Sequence, residues 1–145
     1  GWSYTAVYLL RDRVDEGGNQ NFGFYRPDYT PRKAAVYLHN LTTILADRGS
    51  PRKPDTLNYA IPGEPATVHD MLLQKSDGTF DLIVWSELVQ GTNRVTVHLG
   101  SPRTGVKVYD PTVGIAPVQT PHKINSLTLT LSDHPVIIAI PAKAG

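Results

Sequence analysis

From residue 57 onward the chain never holds a helical period. It breaks into short runs rich in β-branched and aromatic residues, each stopped by a turn signal. The runs are 57–61, 68–74, 80–87, 94–99, 106–109, 127–131 and 136–140. Alternation is clearest at Val95, Val97 and Leu99 and at Leu127, Leu129 and Leu131, with polar residues between them. That is the pattern of a strand with one face buried and one face wet. Asp77-Gly78, between two of the runs, is a two-residue hairpin signal. Seven or eight short strands in roughly ninety residues predict two antiparallel sheets packed face to face, a β-sandwich, with an open barrel as the less favoured variant. Twelve Gly and twelve Pro among 145 residues agree, because so many turn formers favour a β-rich fold over a helical one.

The first part of the chain reads differently. Residues 2–10 (WSYTAVYLL) are aromatic and β-branched, apolar at both parities from Ala6 onward, as in a strand covered on both faces. Residues 15–21 (DEGGNQN) form a polar loop, and 22–25 (FGFY) a short aromatic patch. A helix is predicted to start at Thr30-Pro31, with Thr accepting a bond from an orphan N–H and Pro at the first helical position. Tyr37, Leu38, Leu41, Ile44 and Leu45 make one apolar face, and Gly49 followed by Pro51 and Pro54 supplies the stop. The expected fold class is therefore mainly β, an antiparallel β-sandwich with an N-terminal strand and one amphipathic helix. Three parts follow: 1–49, a linker at 50–56, and the sandwich at 57–145.

Taken together, the strand WSYTAVYLLRD, the loop ending NFGFYRPDYTP, the helix opening PRKAAVYLHNL and a sandwich containing LLQKSDGTFDLIVW and VKVYDP resemble a known arrangement. It is the C-terminal end of a (β/α)8-barrel glycoside hydrolase, and the resemblance covers essentially the whole chain. It implies that 1–49 is the last strand and helix of the barrel and 57–145 an ancillary sandwich that supports it. The catalysis it implies uses two carboxylates on earlier barrel strands, one of them following an Asn. Here the glutamates are Glu16, Glu64 and Glu87, none in an Asn-Glu pair, and no two carboxyls can be assigned to the two sides of a glycosidic bond. No catalytic residue is expected, and the chain alone is expected to be inactive. The partners implied are the remainder of the barrel, or self-association through 1–49, with carbohydrate as a possible ligand. The resemblance also implies a secreted or periplasmic setting.

If 2–10 is the final barrel strand, Arg11, Asp12, Asn19, Asn21, Phe22 and Tyr25 fall where barrel enzymes carry their sites, at strand ends and in the loops that follow. They would rim a sugar cleft, polar groups bonding hydroxyls and aromatic faces stacking on rings. The plainer reading is a solvated loop with a few packed aromatics. Trp85 is a carbohydrate-stacking alternative, although apolar Leu82 and Val84 make a core position the favoured reading.

Other chemistry is thinly represented. Asp15, Glu16 and Asn19 are oxygen ligands without a calcium-loop spacing, and a polar turn is favoured. His39, His69, His98, His122 and His134 show no ligand spacing, so no metal is expected. Without cysteine there is no thiolate chemistry; no serine lies in G-x-S-x-G, and Gly17-Gly18 leads into no phosphate loop, so no cofactor is expected. A formal net charge of +1 with scattered Lys and Arg gives no footprint for nucleic acid. No apolar run reaches the roughly 20 residues that span a bilayer, and no membrane partner is expected.

Overall fold

A computed structural model describes residues 6–13, 20–50 and 53–142. Its elements, in chain order, are α1 (Lys33–Leu45), β1 (Tyr59–Ala60), β2 (Val68–Gln74), β3 (Phe80–Ser86), β4 (Asn93–Thr104), β5 (Lys107–Tyr109), β6 (Lys123–Leu131) and β7 (Val136–Ile140). The strands form two sheets, one ordered β1-β4-β6 and the other β2-β3-β7-β5, with every pairing antiparallel. This is the expected mainly-β sandwich with one helix.

Period-two patterning explains the interior. Val95, Val97 and Leu99 of β4 and Leu129 and Leu131 of β6 face Phe80, Leu82 and Val84 of β3, Val108 of β5 and Ile138 and Ile140 of β7, all buried in one core between the sheets. Each of these strands shows its other parity to a different environment. On β4 and β6 that environment is solvent, so their burial alternates. On β3 and β7 it is the helix. Ile83 and Ile137 lie under Ile44, with Leu41, Leu45, Trp85 and Tyr109 packed around them. The molecule is thus three layers deep, sheet on sheet with α1 on the outer face of the four-stranded sheet.

Polar contacts fix the helix in place. Asn40, buried, donates from Nδ2 to the Pro111 carbonyl at 2.8 Å. Lys75, in the turn after β2, donates to the Ile44 carbonyl at 2.7 Å, satisfying one of the carbonyls that a helix end leaves without a partner. The same ammonium lies 3.3 Å from Asp81 of β3, a fully buried carboxylate. Burial pushes the Asp81 carboxyl above its usual range, and Lys75 partly offsets that push.

Several expectations change. Residues 6–10 form no strand; the rest of the expected strand, 2–5, lies outside the described residues. What replaces it is a lone parallel bridge between Arg11 and Tyr25, with the Tyr25 N–H donating to Leu10 and the Asp12 N–H to Tyr25, each at 2.9 Å. The helix begins at Lys33, two residues later than Thr30-Pro31 would give, with Arg32 at the cap and no side-chain cap bond. Thr30 is engaged elsewhere, its N–H and hydroxyl both donating to Asp28. The helix also stops at Leu45, ahead of Gly49, because Asp47 turns toward the β2–β3 hairpin and accepts the N–H and hydroxyl of Ser76. Gly49 is required by close approach: a Cβ there would lie 1.8 Å from Ser76 Oγ.

The docked face of the helix differs too. Asn40 is buried where Leu38 was expected, and Leu38 faces out. The hairpin is longer than a two-residue turn. Gly78 donates to Lys75 and Lys75 to Thr79, with Gly78 at φ 92°, so five residues connect β2 to β3. Finally, β4 runs on to Thr104, past a register shift between His98 and Arg103.

Candidate functional site

The segment before the helix is held by one buried carboxylate. Asp12 Oδ1 accepts the Gly23 N–H at 2.7 Å, and Oδ2 accepts a charge-assisted bond from Arg32 Nη2. Asp12 is only 2% exposed. The Arg32 hydrogen bond, followed by the Gly23 bond, outweighs burial and holds its carboxyl below the usual range. Gly23 is indispensable there, since a Cβ would meet the Asp12 backbone nitrogen at 2.7 Å. Asp12 is therefore a clamp joining 9–13 to 23–25 and to the helix start. A carboxylate already saturated by an arginine and an amide has little left to offer a sugar hydroxyl.

The other expected rim residues separate. Arg11 donates to the Pro27 carbonyl at 3.2 Å and sits 4.7 Å over the Tyr29 ring, a cation–π contact on the surface. Phe22 is 59% exposed, its ring 6.2 Å from that of Tyr8. Asn21 is exposed, and Tyr25 is half-buried with its backbone in bridges to Arg11 and Pro31. Asn19, together with Asp15 and Glu16, lies outside the described residues. What the structure brings together is thus an exposed aromatic pair, Tyr8 and Phe22, and separately an arginine–tyrosine stack of Arg11 on Tyr29. Tyr8 and Tyr29 were not among the expected rim residues, and both carry exposed rings.

Trp85 lies on the helix side of β3, half-buried against the Ile83, Ile137 and Ile44 cluster. Its ring is 5.5 Å from that of His69 and tilted by 38°, while His69 Nε2 is 3.2 Å from Glu87. The remaining polar centres tie loops together. The Tyr59 hydroxyl donates to Asp70, joining β1 of one sheet to β2 of the other. Burial first, then that bond, pushes the Tyr59 hydroxyl up to about 12. Burial and nearby Asp70 also raise the Glu64 carboxyl.

His134 is the centre that sequence reasoning missed, since the histidines were weighed there only for metal-ligand spacing. Its Nε2 lies 3.3 Å from Asp110, and its Nδ1 lies 3.2 Å from Asp133 and 3.1 Å from Ser132. Burial pushes the Asp110 carboxyl up, but bonds from Thr112 and the nearby imidazole more than offset this, and the net shift is downward. The Asp-x-Thr spacing at 110–112, which closes a turn by bonding the Thr112 N–H at 2.8 Å, was the available signal.

Compared with protein-family models and with curated proteins, the chain matches none. The site must therefore be read from its chemistry. Among the described residues no three His, Cys, Asp or Glu side chains gather to hold a metal ion, and no helix is long and apolar enough to cross a membrane. A mostly apolar groove of about 360 Å³ lies between the N-terminal segment and the outward face of α1, lined by Leu10, Phe24, Tyr25, Ala35, Leu38 and His39. Its walls offer shape and apolar contact, with little polar chemistry.

Proposed function

We propose that this chain is the non-catalytic C-terminal ancillary part of a glycoside hydrolase, a rigid flank on which the rest of a barrel rests. One observation carries the reading: α1 is buried on one face against the sandwich, while its other face remains apolar and open. Val36 is 42% exposed and Leu38 47%. Leu10, which shares the groove with Leu38, is exposed as well, and so are Val7 and Tyr8 just before it in the chain. Contiguous exposed apolar groups of this kind mark a surface built to be covered. In this reading the preceding barrel covers it, and the Asp12 clamp and the Lys75–Asp81 contact transmit that support into the sandwich.

The chain alone should not turn over aryl glycosides. Turnover that disappears on Glu87→Gln would overturn the proposal. So would a stop codon immediately upstream of Gly1 in the source DNA, where continued β/α units carrying an Asn-Glu pair are expected.

The exposed Tyr8–Phe22 pair favours a second reading, a carbohydrate-binding module, with Trp85 less suited because its ring is half-covered. Titration calorimetry against plant and bacterial polysaccharides separates the two. Heat of binding lost on Phe22→Ala would support the module; no heat would leave the ancillary role. Self-association through 1–49 is the third reading, and a concentration-dependent dimer in light scattering, abolished by Leu38→Glu, would favour it.

A further inference from the structure

We propose that the cleft at the open end of the sandwich, between β4 and the start of β3, binds a small hydroxylated monocarboxylate through Arg103. The proposal does not rest on the hydrolase reading and concerns a different face of the molecule.

β4 begins as an ordinary half-buried strand, with Val95, Val97 and Leu99 in the core. Ser101, within the register shift, and Arg103, where pairing resumes, continue the same parity, and both are half-buried. A position that the alternation would assign to an apolar side chain therefore carries a guanidinium. The cleft it lines measures about 430 Å³ and is also lined by Thr56, Asn58, Ser101, Asp55 and Phe80. That is within the size range of small-molecule sites.

Arg103 is poorly partnered for a charged group in this position. Among the described residues no carboxylate pairs with it; Nη1 reaches the Pro141 carbonyl only at 3.5 Å, the limit of a hydrogen bond, and Nε is buried with no partner at all. Buried donors nearly always find an acceptor, and an arginine never sheds its charge. The two terminal nitrogens form a planar fork that matches a carboxylate, which they would hold by two parallel bonds.

The rest of the lining narrows the class. Asp55 is the other charged group in the cleft and opposes a second negative charge, so a monoanion suits the site better than phosphate. The Thr56 and Ser101 hydroxyls and the Asn58 amide can both donate and accept, as a polyol chain requires. Phe80, buried in the core, offers an apolar floor to its C–H face.

The test is an NMR titration of isotopically labelled protein with sodium gluconate at constant ionic strength, alongside sorbitol, its neutral counterpart, and inorganic phosphate. Gluconate should give saturable shifts at Thr56, Asn58, Ser101 and the Arg103 Nε–H, and both sorbitol and Arg103→Ala should weaken binding by about tenfold. Absence of saturable shifts up to about 50 mM gluconate, far weaker than useful small-ligand binding, overturns the site. Equal binding of sorbitol, equal or tighter binding of phosphate, or unchanged affinity in Arg103→Ala overturns the assignment to a carboxylate held by Arg103. If Arg103→Ala does not fold, Arg103→Lys decides in its place, since it keeps the charge and loses the fork. Unchanged gluconate affinity in that variant overturns the role of the fork, and a several-fold loss supports it.

Discussion

Replacing Lys75 by Met tests whether the helix is fastened to the sandwich by a buried charge. The substitution keeps the length and apolar stem of the side chain but removes the ammonium that lies 3.3 Å from Asp81 and 2.7 Å from the Ile44 carbonyl. Removing one partner of a fully buried pair costs about 3–5 kcal/mol. Lys75 is 22% exposed, and Asp81 can take up a proton instead of standing as an unpaired charge, so about 2–3 kcal/mol is the expected loss at neutral pH. For a chain of this size that lowers Tm by about 5–10 °C.

The pH dependence gives a sharper check. Burial already raises the Asp81 carboxyl in the folded protein, and loss of Lys75 raises it further. Between the unfolded value of about 3.9 and the raised folded value, the folded chain holds a proton that the unfolded chain releases, so stability falls as pH rises through that window. The window reaches higher in Lys75→Met. Urea denaturation of both proteins should thus show a difference that widens from about pH 4.5 to about pH 7.5, and Asp81→Asn in the Met background should restore about 1 kcal/mol at the higher pH. A loss below about 0.5 kcal/mol, equal at both pH values, would refute the fastening role of the pair.

Ile137→Ala empties a fully buried position directly beneath Ile44 and should cost about 2–5 kcal/mol by thermal or chemical denaturation, whereas Ile115→Ala, at an exposed loop position, should change stability by less than about 0.5 kcal/mol. Absorbance titration should show one of the seven tyrosines ionising late, near 12, and Tyr59→Phe should remove that step. Gly23→Ala places a methyl group against the Asp12 backbone and should cost about 2 kcal/mol or more, with local amide exchange at residues 9–13 and 23–25 accelerated ahead of the sandwich strands.

The strands were legible wherever the chain itself supplied both pattern and punctuation. β2 and β7 occupy the predicted 68–74 and 136–140, since β7 is bounded by Pro135 and Pro141 and β2 runs into the Asp77-Gly78 turn. The helix was legible as an element and less so at its ends and face. Its ends are decided by Asp47 reaching Ser76 and by Thr30 turning to Asp28, contacts that no local propensity contains. Its docked face holds Asn40 because Pro111, seventy-one residues away, presents a carbonyl there. Residues 6–10 failed as a strand for the converse reason: apolar, β-branched composition describes a segment that fits a sheet, but the described residues supply it no neighbouring strand beyond the lone bridge at Arg11. The same gap affected the candidate site. Asp12 has the composition of a rim carboxylate, and only the fold reveals that Arg32 and Gly23 consume it.

The three-layer packing changes what 1–49 can be. Ile83, Asp81 and Trp85 on β3 and Ile137 on β7 point away from the sandwich core, and α1 with the Lys75 turn is what covers them. A sheet whose central strands are apolar on both faces requires a layer on each side. The helix is accordingly a structural layer of the sandwich domain as much as a neighbour of whatever lies against its outer face. A body resting on Leu38 and Val36 would be set, through α1, against β3 and β7. The same packing would also set the open end of the sandwich, with Arg103, relative to that body, and with it any ligand held there.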